Sequence, residues 1–123
     1  MLYDLQKEHA KWQKKNFPNA EKWECLVGLQ EEVGELAHAF LKQHQNIRMD
    51  ENHRDNMKDA IGDIVIYLLG FCTLNQIDAD ECIEMAWGQV KHRDWTKNRD
   101  QHPGEKMCDY SGPQNLGHEL KEE

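Results

Sequence analysis

Apolar residues recur every three or four positions from the start of the chain to about Lys97, a spacing that predicts amphipathic helices rather than strands. A first helix is expected from about Leu2 to Lys15, with Leu2, Leu5, His9 and Trp12 on one face. It should stop before Phe17-Pro18, because the residue ahead of a proline is pushed out of helical geometry. Asn19 can cap a long second helix on which Trp23, Leu26, Val27, Gln30, Val33, Gly34, Ala37 and Leu41 share helical spacing. The polar stretch from Gln45 to Asn52 reads as a loop, and a third helix from Glu51 to Asn75 follows it. Asp78 and Glu81 have capping-box spacing and start a fourth helix that continues to about Trp95. Short connections favour an antiparallel order, so the expected fold is all-α, a four-helix bundle protomer occupying residues 1–98. Residues 99–123 hold two of the three prolines and few large apolar residues, and are expected to form an extended or partly disordered tail.

The third helix is apolar over more than one face, through Ile61, Ile64, Val65, Ile66, Leu68, Leu69 and Phe71. A small helical unit covers such a helix most readily by pairing with a copy of itself, so a homodimer or a larger homo-oligomer is expected.

At 123 residues the chain fits one domain with a real core. The formal charge of -8 argues against a main surface that binds nucleic-acid backbone, for which a basic patch is the footprint. Four cysteines, Cys25, Cys72, Cys82 and Cys108, show no CxxC pair and read as buried reduced thiols, which points to a reducing, cytoplasmic compartment. Neither a signal peptide nor a run of roughly 20 apolar residues is seen, so no membrane span is expected.

Two acidic clusters change the picture. EEVGEL places Glu31, Glu32 and Glu35 on the second helix, and DAIGD places Asp59 and Asp63 on the third. Residues three or four apart on a helix are neighbours, so each cluster stacks like charges at a cost of a few tenths of a kcal/mol per pair. Apolar surroundings raise that cost. A cation removes it, and an all-oxygen donor set suits magnesium, with manganese as the alternative, better than zinc. Carboxylates on facing helices could hold metal ions that bind a polyphosphate and neutralise charge while water attacks. No GxxxxGK[ST] loop or GxGxxG turn offers another phosphate cradle. Lys91, Arg93, Lys97 and Arg99 gather at the end of the fourth helix, where they either meet phosphate oxygens or complement the helix dipole.

EEVGELAHAFLK followed by DAIGDIVIYLL resembles the MazG-like all-α nucleoside triphosphate pyrophosphohydrolases, whose pattern is EExxE, a gap, then ExxD. The resemblance runs from about Trp12 to Arg99. It implies a four-helix protomer, assembled as a dimer or dimer of dimers, that cleaves a nucleotide between its alpha and beta phosphates to give the monophosphate and pyrophosphate. Glu32, Glu35 and Asp63 match metal-ligand positions, and Glu31 is a second-ion ligand or general base beside Glu32. Where the pattern has Glu this chain has Ala60. The nearest carboxylate is Asp59, so either Asp59 substitutes or the cage holds fewer ions or binds them through water. Lys91, Arg93 and Asp94 are candidates around the phosphates. For the base, an aromatic stack is expected from Trp12, Phe17 or Trp23. An all-α dUTPase or dCTPase, a phosphoribosyl-ATP pyrophosphatase, and a non-catalytic helical binding or regulatory dimer are the alternatives.

Overall fold

The computed structural model describes residues 1–97. The expected tail, with Arg99 and Cys108, lies outside the described residues. Among the described residues there are four helices and no strand: α1 (Leu2–Asn16), α2 (Lys22–Gln45), α3 (His53–Leu74) and α4 (Ala79–Val90). The chain divides into a compact unit, Met1–Ala86, and a second that begins at Trp87. Among the described residues, no single helix is long and apolar enough to cross a membrane.

The helix ends follow local chemistry. α1 stops at the Phe17-Pro18 step, where the Phe17 amide bonds back to the Gln13 carbonyl at 2.7 Å. α2 starts later than a cap at Asn19 would set it. Glu21 and Glu24 close a reciprocal capping box there, which satisfies two amides that Asn19 is too far back to reach. It ends at Asn46 in the left-handed region, φ 57°. α3 likewise begins after the expected Glu51, because Asn52 is its cap and accepts from the Asp55 amide at 3.0 Å. α4 ends at Val90 rather than near Trp95. Beyond it Asp94 turns the chain locally, accepting from the Thr96 amide at 3.0 Å.

α3 is the centre of the first unit: α2 packs along it and α1 packs against it. The α2–α3 pair is antiparallel, with Cys25 beside Gly70, Gly28 beside Tyr67, and Glu32 within electrostatic reach of Asp63. Among the described residues, Cys25, Ala39, Ala60, Leu69 and Ala79 are the buried apolar ones, of which only Leu69 is large.

Two expectations are corrected. Leu5 and Trp12 are exposed, and the face of α1 turned inward is polar, with Gln6 and Gln13 buried and His9 half-buried. Gln6 tolerates burial because its amide is fully used: Nε2 donates to the Ile77 carbonyl at 2.8 Å and Oε1 accepts from the Ala79 amide at 2.9 Å. The described cysteines are free but not uniformly buried. Cys25 is buried, Cys72 half-buried and Cys82 exposed.

Candidate functional site

The acidic residues of α2 converge as helical spacing requires. One carboxylate oxygen from each of Glu31, Glu32 and Glu35 lies within 4.8 Å of the others. Glu31 and Glu35 are exposed, whereas Glu32 is buried. Burial, then the charges of Glu35, Asp63 and Glu31, push the Glu32 carboxyl above the usual range. Its Oε2 has no hydrogen-bond partner. A buried, unpartnered carboxylate oxygen facing three further acids is the environment a hard divalent cation relieves, so the donor set fits magnesium or manganese.

On α3 the two aspartates separate. Asp63 is half-buried and acts electrostatically on Glu32 across the helix pair. Asp59 is exposed and is not among the charges acting on Glu32. Ala60, one residue on, is 2% exposed. A helix turns about 100° per residue, so the buried face that Ala60 occupies is not the one from which Asp59 projects.

Glu32 and Asp63 also form part of the wall of a cavity of about 440 Å³ between α1, α2 and α3. Trp12, Phe17 and Tyr67 contribute aromatic surface to it, and His9, Gln13, Cys25 and Gly70 line it as well. Trp12 and Phe17 meet edge to face with centroids 5.7 Å apart, and His9 lies 5.6 Å from Trp12. Of the three aromatics expected near the base, Trp12 and Phe17 line the cavity. Trp23 does not, and its indole N–H donates to Glu21.

Two residues of the cavity wall carry buried polar atoms that the protein leaves unpaired. Gln13 Nε2 donates to Cys25 Sγ at 3.8 Å, yet its Oε1 is buried without a partner, as is His9 Nδ1. Each such atom costs about 1–3 kcal/mol relative to a satisfied one. Burial lowers the His9 pKa, which favours the neutral imidazole. Burial also pushes the Cys25 thiol up, against the opposing Gln13 hydrogen bond. The Tyr67 hydroxyl is pushed up by burial and by Glu32, Glu31 and Asp63.

Glu31, Glu32, Glu35, Asp63 and Trp12 are legible as site candidates in the sequence, whereas His9, Gln13, Cys25, Tyr67 and Gly70 join the cavity wall only in the structure. The signal was the polar stripe Gln6, His9, Gln13, which keeps helical spacing on a face read as apolar. Lys91, Arg93 and Asp94 belong to the second unit. The Thr96 hydroxyl, then the Thr96 and Lys97 amides, hold the Asp94 carboxyl below the usual range.

Residues 23–96 match the model of the MazG nucleotide pyrophosphohydrolase domain. No curated protein and no solved structure matches the chain.

Proposed function

The chain belongs to the MazG nucleotide pyrophosphohydrolase family, and from that premise we propose that it hydrolyses a nucleoside or deoxynucleoside triphosphate to the monophosphate and pyrophosphate, with magnesium as cofactor. The observation that carries this reading is the shared wall: Glu32 and Asp63 line the same cavity as Trp12 and Tyr67. One compartment thereby offers a place for metal-bound phosphates and a place for a planar base.

Glu32, Glu35 and Asp63 hold the ion, which when bound supplies neutralising charge to the phosphates and acidifies water. Glu31, exposed beside them, takes the proton of the attacking water. Asp59 stands at the edge of this set as a ligand through water. The apolar residues that one chain leaves exposed, among them Phe40 at 62% and Met85 at 69%, support a homodimer or homotetramer.

Purified protein incubated with a panel of canonical and modified triphosphates, with magnesium present or removed, tests the proposal. Monophosphate and pyrophosphate should appear only with the metal. Diphosphate and phosphate would place the cleavage at a different bond and overturn it.

A further inference from the structure

The ends of the cavity lie two helical turns apart. Cys25 precedes Glu32 by seven residues on α2, and Gly70 follows Asp63 by seven on α3. With a rise of 1.5 Å per residue, the Cys25–Gly70 level sits about 10 Å from the carboxylates. A nucleoside bridges such a span. In a nucleotide, the exocyclic group at pyrimidine position 4 or purine position 6 is the part of the base farthest from the phosphates. Phosphates at Glu32 and Asp63 therefore send that group toward His9, Gln13 and Cys25.

Gly70 lets these three residues converge. A Cβ built there would meet His9 Cε1 at 3.3 Å, Cys25 Sγ at 3.4 Å and Gln13 Nε2 at 3.4 Å. Gln13 is 8% exposed, and its Nε2 is engaged by the Cys25 sulfur. What it leaves unpaired is an acceptor, Oε1. A keto oxygen brought to that position sets acceptor against acceptor, whereas an amino group supplies the missing donor.

We propose that Gln13 selects the base: its Oε1, oriented by Cys25, accepts a hydrogen bond from the exocyclic amino group of cytosine or adenine and disfavours the keto oxygen of uracil, thymine or guanine. This rests on the reading of the cavity as the nucleotide site given above. Cys25 is a positioning residue: its sulfur receives Nε2, which leaves Oε1 as the unpaired end of the amide.

Two measurements test it. The first is kcat/KM for dCTP, dATP, dUTP, dTTP and dGTP with magnesium. Wild type should favour dCTP, dATP or both over every keto base by about tenfold or more, which the two amino-base arms resolve. Gln13→Leu should reduce that ratio to within about threefold, through KM for the amino bases. Cys25→Ala, which frees the amide to rotate, should narrow it in the same direction and serves if Gln13→Leu does not fold. The second is equilibrium binding of the five nucleoside monophosphates in EDTA, followed by tryptophan fluorescence. An amino preference there without any turnover sinks the proposed hydrolysis but keeps the role of Gln13. Equal binding of all five, or a base ratio unchanged in both variants, overturns the role of Gln13.

Discussion

The Tyr67 ring lies directly on the backbone of Gly28: a Cβ at that glycine would stand 2.2 Å from Tyr67 Cε1. The contact fixes the α2–α3 spacing one turn from Glu32 and Asp63, and it seats the ring in the cavity wall. Gly28→Ala is therefore expected to displace Tyr67, costing about 1–3 kcal/mol by overpacking. Denaturant unfolding measures the loss. Combining Gly28→Ala with Tyr67→Ala should recover part of it, and additive losses in the double variant would contradict the contact as its cause.

Removing the charge on Glu32 separates stability from function. Glu32→Gln, made in metal-free protein, relieves repulsion from Glu35, Asp63 and Glu31 and should raise the melting temperature. The same change, like Glu35→Ala and Asp63→Ala, should lower magnesium-dependent turnover on the order of 100-fold or more while the fold persists. Unchanged rates across the three variants would remove these carboxylates from the chemistry.

The raised Glu32 pKa has a definite pH signature. Between the ordinary glutamate value of 4.5 and the raised folded value, the folded protein binds more protons than the unfolded chain. Stability of the metal-free protein should thus fall as pH rises through that window and level off above it. Magnesium bound to the deprotonated folded form should flatten the fall. Melting curves from about pH 4.5 upward, with EDTA and with magnesium, read both effects.

Ala60 occupies the place where the family pattern carries Glu, and at 2% exposure it has no room to spare. Ala60→Glu should destabilise metal-free protein by about 1–3 kcal/mol through overpacking, with a further penalty from the buried charge. Calorimetry with magnesium shows whether the new carboxylate tightens binding. If stability were unaffected, the packing around Ala60 described above would be wrong.

Gln6 holds together segments far apart in sequence. Gln6→Leu leaves the Ala79 amide and the Ile77 carbonyl without partners and should cost about 1–3 kcal/mol. Hydrogen exchange at the start of α4 should accelerate before exchange in α2 does.

The helices and the acidic clusters were legible in the sequence because both depend on local spacing. Proline at position 18, the polar run before α3 and the carboxylates three apart act within a turn or two, and the structure keeps them. The inward face of α1 was not legible. Leu5 and Trp12 look like core by hydropathy, but Gln6 and Gln13 win the interior: the carbonyl of Ile77, the amide of Ala79 and the sulfur of Cys25 lie there to receive them. Those partners are set by tertiary packing and leave no periodic trace. The aromatic wall was half visible for the same reason, since Trp12 is close to the acidic helix in sequence whereas Tyr67 reaches the site only through the α2–α3 register.

α1 also sets an order of assembly. Its first amides, at Leu2 and Tyr3, are capped by Asp80 at 3.2 and 2.9 Å, and Gln6 is satisfied only near Ile77 and Ala79. During synthesis α1 must therefore wait for most of the first unit to emerge before its own end is closed. The N-terminal cap of α1 is the last of these contacts to form, so the carboxylates of α2 and α3 can come together before that end is fixed.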